Sequence, residues 1–501
     1  MLYNYFLIFK NFIFLPEIFL VSCILLLVVF YNFFFKKTFG QIYFLWYSVI
    51  CIIITIFLIA VTPESAYFYG IFLFNYKIST IQVTILLISL FCLILFHRSL
   101  TKSYTNCLKY LIFYLVTVLL CLLATMINTS YLLFLFLSLE LITICFYILS
   151  SFNYHNYGFL IFRFIPVRKL LYVSALSNFT GLFLFKLHLF LVVANPNYFY
   201  LLHYVKKQEY LLIIGISLIS IGLLLKTVIF YSPTSFIYYK KTPTVTIIYM
   251  HLVPKIFFFY FFSELVYLNP YFIYSEYYIN LIVLCASLSC LIISIGMRRL
   301  FLKHFIEYLS LVNSGYLLLC LTPLTFNSLN YCIYFILFYV LTIFLYGGIL
   351  LFFDDKQYPG LRISFDTILN DIDKKDYYSI IISILIFFFL GMPPTRRDYP
   401  CSRGIPFNGF IFQYLVFQSL LYGNMYLILF FLIIFNLIVF LFFFWTIIPF
   451  WYERKNNFFS LLPAYLNSPL KEFIPIYLII FLLVLQLDST VVTNFVKFFY
   501  K

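Results

Sequence analysis

Charge is scarce in this chain. Asp, Glu, Lys and Arg make up 10% of its 501 residues, and 65% are hydrophobic, so a soluble fold could not cover the apolar surface. No polar block is long enough to fold as a separate soluble domain, which leaves one membrane domain over residues 1–501. Metal and redox motifs are missing as well. There is no CxxC pair, and most of the 11 cysteines (Cys23, Cys51, Cys92, Cys121, Cys145, Cys285, Cys290, Cys320 and Cys332 among them) fall in apolar runs, where they read as small packing residues. No GxxxxGK[ST] loop, HExxH or CxxCH is present, so ATP hydrolysis, zinc proteolysis and c-type haem attachment have no residues to stand on. The formal charge of +15 lacks the single basic face that nucleic acid would need, because its cations fall in short connections. The first apolar run, 12–35, is too long for a signal-peptide core and has no small-residue cleavage site. An Arg/Ser-rich presequence is lacking too, so nothing suggests import.

What the chain does have is repeated apolar stretches of membrane-crossing length. Hydropathy gives about fourteen spans. They lie near 12–35, 42–62, 79–97, 109–127, 131–150, 169–192, 210–231, 244–267, 277–296, 305–323, 329–353, an interrupted 377–422, 425–450 and 473–488. Loop charge supports the alternation. Lys36/Lys37, Arg98/Lys102, Arg163/Arg168, Lys240/Lys241 and Arg298/Arg299/Lys303 follow the odd-numbered spans up to the ninth. The connections after the fourth, eighth and tenth hold neither Lys nor Arg, which puts the first group on the cytoplasm-like side. Two places break the helical pattern: Ser232-Pro233 with Thr242-Pro243, and Gly391-Met392-Pro393-Pro394 with Gly404-Ile405-Pro406. They are either ordinary loops or the paired interruptions of a transporter-type inverted repeat.

Three ionisable residues stand inside spans that should carry none: Glu140, Lys226 and Lys255. A central charge costs roughly 2.5–3.5 kcal/mol on insertion scales, so it faces protein or water and points to an ion path. Lys226 precedes a helix break. Burial and a nearby carboxylate pull its proton affinity in opposite directions, so re-pairing with Glu140 would load and unload it; a static buried ion pair is the alternative. His251 and Lys255 are four residues apart, on one helix face. His251 suits a proton relay or a structural hydrogen bond. Lys186 lies nearer a span end, where snorkelling to the interface competes with function, and Glu264 nearer still. The aromatic excess reads mostly as lipid-facing and interfacial packing.

The order of motifs resembles one family, subunit 2 of NADH:quinone oxidoreductase (subunit N in bacteria), an antiporter-like chain of respiratory complex I. Leu15-Pro16-Glu17 is similar to its opening LPE, and Leu137-Ser138-Leu139-Glu140-Leu141 to its LGLELLSL helix. Leu225-Lys226 resembles the FKL of its broken helix, and Pro243-Thr244 with Val253-Pro254-Lys255-Ile256 its APTPVT…APK stretch. Glu307-Tyr308-Leu309-Ser310 with Ser314-Gly315-Tyr316 is similar to AYSSIAHAGY. Gly391-Met392-Pro393-Pro394-Thr395 with Gly409-Phe410 and Phe417 resembles the family's GxPPTxGF run. The resemblance implies an all-α polytopic fold of about fourteen helices with two inverted repeats of about five helices each and two discontinuous helices. The repeats would cover 101–270 and 271–452, flanked by N-terminal helices in 1–100 and a C-terminal helix in 453–501.

On this resemblance Glu140 and Lys226 are a charge pair and Lys255 is the central lysine of a proton path, with His251, Lys186 and Gln413 as relay candidates. The chain itself would bind no cofactor; FMN, iron–sulfur clusters and quinone would belong to partner subunits of the membrane assembly. The 69 Phe and 47 Tyr beside 15 Gly fit an AT-rich coding genome, and with the resemblance suggest a mitochondrion-encoded protein of the inner membrane. The departures are specific. Gln413 stands where the family has a lysine and Asn313 where it has a histidine; Ile229-Phe230-Tyr231-Ser232-Pro233 replaces its VPFHxW, and Arg396–Asn408 is inserted. Two other readings follow: a standalone cation/proton antiporter subunit, and a structural membrane scaffold that does not pump.

Overall fold

The structure, a computed structural model, describes residues 14–34, 41–62, 65–67, 71–95, 107–127, 132–151 and 244–268, parts of 310–344, and 408–452. The spans expected at 169–192, 210–231, 277–296 and 473–488 lie outside the described residues, as do both predicted helix breaks. The chain divides in the main into two compact units, Met1–Tyr278 and Ile279–Phe499.

In the first unit, α1 (Leu15–Phe34), α2 (Gln41–Val61), α3 (Tyr76–Leu95), α4 (Cys107–Met126), α5 (Leu132–Ser151) and α6 (Thr244–Leu268) each fall on a span expected from hydropathy. A helix satisfies all its interior backbone groups locally, so a long apolar run in an apolar medium has little other choice. Pro16 sits in the first turn of α1, where its missing N–H is no loss. Tyr43–Val61, Tyr76–Ile94 and Leu108–Met126 are long and apolar enough to cross a membrane; Leu15–Tyr31, Leu137–Phe146, Thr246–Phe257 and Tyr426–Val439 are shorter apolar helices.

One element was not expected of an all-α chain. Strands β1 (Ser65–Tyr67) and β2 (Phe72–Phe74) pair antiparallel, Ser65 opposite Phe74 and Tyr67 opposite Phe72. Residues between two helices at a membrane edge must find backbone partners, and a hairpin supplies them locally. It also fastens helix ends together. Phe72 bridges to Ile127 at the end of α4, and its ring meets Phe14 edge-on at 5.3 Å.

Helix α1 packs on α2 and α4, α2 on α3 and α4, α3 on α4 and α6, and α4 on α5. Leu20 and Leu27 of α1, Ile52 of α2, Leu86 of α3, and Leu115, Val118 and Leu122 of α4 are among the buried side chains. The opposite faces remain apolar: Ile18, Leu25, Trp46, Phe57 and Phe91 are exposed. Helices apolar on all sides belong in lipid or against other membrane subunits. Several buried serine and threonine hydroxyls are satisfied within their own helices, as in Ser48 to Leu45 O (2.6 Å), Thr55 to Ile52 O (2.7 Å) and Ser89 to Leu86 O (2.8 Å).

In the second unit, α7 (Asn408–Tyr422) and α8 (Tyr426–Tyr452) pack as a pair. Their turn is a helix stop closed by two bonds, Met425 N–H to Leu420 O (3.0 Å) and Asn424 N–H to Leu421 O (3.1 Å). Asn424 holds the left-handed position this requires, with φ 55°. α7 is the C-terminal part of the interrupted 377–422 region, and α8 coincides with the expected 425–450 span.

Candidate functional site

The candidate site is where α5 and α6 meet. α5 brings Glu140, half-buried, and α6 brings His251 and Lys255. His251 is fully buried and Lys255 only 5% exposed, so both four-residue neighbours face the interior as their spacing requires. A lysine stem reaching a membrane surface would leave its end in water; this one is enclosed. α6 runs unbroken through Pro254, which removes one backbone donor directly beside Lys255.

α6 packs against α3, α4 and α5. Between α4, α5 and α6 lies a cavity of about 10 Å³, room for roughly one water. Cys121, Leu139, Thr143, Phe146, Pro254 and Phe257 line it, so Glu140 and Lys255 each adjoin a lining residue in the chain. Among the described lining residues the Thr143 hydroxyl is the sole oxygen-bearing side chain, and it already donates to Glu140 O at 2.8 Å. A water held stably needs two to four polar partners, so this gap favours staying dry as packed.

The same three helices, with α3, carry a polar network of tyrosines. Tyr114 O–H donates to Ser89 O at 2.8 Å, tying α4 to α3; the Tyr249 hydroxyl meets Thr117 Oγ1 at 3.1 Å, tying α6 to α4. The Tyr114 and Tyr249 rings approach to 4.4 Å, and Phe146 of α5 meets Tyr249 at 5.5 Å. The Gln82 amide adds a third link, donating to Leu122 O at 3.2 Å. These residues were not singled out from sequence. The available signal is the stripe Tyr110, Tyr114, Thr117, Cys121 at helical spacing on α4, a polar seam on one face. Tyr110, Tyr114, Tyr249, Tyr316 and Tyr339 are among the largest fully buried side chains, so part of the aromatic excess is core where interface or lipid was expected.

Of the sequence candidates, Glu140, His251 and Lys255 thus fall on two helices in contact. Lys226 and Lys186 lie outside the described residues, as does the Arg396–Asn408 insertion up to Asn408, where α7 starts. Glu264 is in the last turns of α6, its side chain outside the description. Gln413 is half-buried on α7, in the second unit. Asn313, also in that unit, is 7% exposed with its amide nitrogen donating to no group among the described residues. Cys23, Cys51, Cys92, Cys121, Cys145, Cys320 and Cys332 are buried free thiols inside the helix packing.

No family model and no curated relative matches the sequence. Solved structures do match. A chain of respiratory complex I from Thermus thermophilus, solved with bound aureothin, superposes with TM-score 0.68 at 15% identity, over 96% of this chain and 99% of that one. A chain of the membrane-bound sulfane sulfur reductase, an archaeal respiratory membrane complex, gives 0.71 at 13%, over 97% and 95%. A chain of the Mrp complex from Dietzia sp. DQ12-45-1b gives 0.64 at 13%, over 87% and 79%. The chain therefore has the helical membrane fold found in subunits of these multi-subunit complexes.

Proposed function

We propose that this chain is a proton-translocating membrane-arm subunit of respiratory complex I, of the subunit 2 type, in the mitochondrial inner membrane. The observation that carries the reading is Lys255, an ionisable side chain enclosed at mid-helix in α6, against the helix that bears Glu140. Enclosing an ammonium group is expensive and contributes little to stability, which favours a role in moving charge. Coverage favours a subunit of a respiratory complex over the Mrp-type antiporter: 99% of the complex I chain and 95% of the sulfane sulfur reductase chain are matched, against 79% of the Mrp chain.

In mechanism, NADH oxidation and quinone reduction take place in partner subunits, which hold the FMN, iron–sulfur clusters and quinone. A conformational or electrostatic pulse shifts the Glu140–Lys226 pair and changes the proton affinity of Lys226. The proton then passes along polar groups towards Lys255, with His251 as the adjacent relay and Lys186 and Gln413 as further candidates. The dry gap between α5 and α6 acts as the insulating step, conducting only when repacking admits water. The rest of the reading is an antiporter-like arrangement of about fourteen helices with inverted repeats over 101–270 and 271–452.

Lys226→Met and Lys255→Met in the assembled complex are expected to lower protons moved per electron while NADH oxidation by the partner subunits persists. Normal pumping in both variants removes the proposal. It would leave the scaffold reading, which Gln413 and Asn313 favour because a neutral amide cannot carry a charge.

A further inference from the structure

Glu17, of the Leu15-Pro16-Glu17 motif, has no part in the proton path above. It lies in the first turn of α1 and is 4% exposed, and neither carboxyl oxygen has a hydrogen-bond partner among the described residues. α1 packs on α2 and α4. α2 contains no Asp, Glu, Lys, Arg or His, and α4 contains one cation, Lys109, in its first turn. That ammonium sits 5.3 Å from the ring centre of Tyr31, which stands about 21 Å further along α1 than Glu17. Two described hydroxyls at the near ends of α2 and α4 are engaged elsewhere. The Thr62 hydroxyl donates to Ile59 O at 2.8 Å and the Thr125 hydroxyl to Leu122 O at 2.7 Å, each within its own helix or its end.

Among the described residues, an ionised carboxylate in this position has lost its water without gaining a counter-ion. The first-turn N–H groups of a helix favour an anion. Their help is small beside the cost of desolvating an unpaired ion. A neutral acid avoids that cost. We propose that Glu17 is a second proton-binding site, a neutral carboxylic acid on α1 where it packs against α2 and α4, separate from the path proposed for Glu140, Lys226 and Lys255. The hairpin β1–β2 meets the same end of α1 and α4, where Phe72 touches Phe14 and bridges to Ile127.

The test uses the purified native complex at rest, without turnover, so it is independent of whether the chain pumps. Infrared difference spectra between H₂O and D₂O are expected to contain a protonated-carboxyl C=O band that vanishes in Glu17→Gln and shifts in Glu17→Asp. Treatment with dicyclohexylcarbodiimide, followed by peptide mass mapping, gives a second readout. The acid proton passes to a carbodiimide nitrogen and the carboxyl oxygen bonds to its central carbon. Acyl migration to nitrogen then leaves an adduct carrying the whole reagent. Labelling at Glu17 supports the site. A band unchanged in both variants overturns it, and would mean that Glu17 is ionised against a cation supplied by another subunit.

Discussion

Tyr249 shows how much a single side chain holds at the junction of α4, α5 and α6. Its ring contacts Tyr114 and Phe146, and its hydroxyl meets Thr117. Replacing it by Phe keeps the rings and removes one buried hydrogen bond, an expected loss of about 0.5–1.5 kcal/mol. Replacing it by Ala opens a cavity as well, at about 3–5 kcal/mol. Thermal unfolding of the purified complex should rank the two; equal losses would mean that the ring packing contributes nothing. At this scale the charged candidates were legible and the hydroxyls were not. Lys255 and His251 announce themselves because ionisable groups are costly in apolar runs, and their spacing puts them on one face. A tyrosine carries no such signal. The same residue suits an interface or a core, and only its partner decides which.

Among the elements, helix positions were legible to within a few residues, because apolar length and backbone self-sufficiency are local properties. The expected span at 244–267 is observed as Thr244–Leu268, and that at 42–62 as Gln41–Val61. The hairpin was not legible: Ser65–Tyr67 and Phe72–Phe74 are too short to show a period. The stop of α7 is a testable element feature. With Asn424 at φ 55°, a residue with a branched Cβ is strained and Gly is not. Asn424→Val is expected to cost roughly 1–2 kcal/mol and Asn424→Gly about nothing. Heat-inactivation midpoints of the complex check this, and a Val variant as stable as the Gly variant contradicts it.

For the molecule as a whole, the exposed faces matter most. Leu427, Phe430, Leu437 and Leu441 project from α8, and Ile18 and Leu25 from α1. Apolar surface of this kind needs lipid or neighbouring subunits. A complex I subunit extracted in mild detergent is expected to co-purify with flavin- and iron–sulfur-containing subunits; isolation of the chain without them would favour the standalone antiporter.

By itself the sequence determined that the chain is a helical membrane protein, where several of its helices run, and which spans carry ionisable groups. Each follows from local composition, since a run of apolar residues chooses lipid and helix whatever lies elsewhere in the chain. Tertiary structure alone decided which residues remote in sequence come together. Thr117 and Tyr249 are 132 positions apart yet hydrogen-bonded, Leu139 and Phe257 line one cavity, and Glu17 is enclosed about 21 Å along α1 from the level of Lys109. Distances between helices remote in sequence are set by side-chain packing across their whole length, and no short window of residues contains that information.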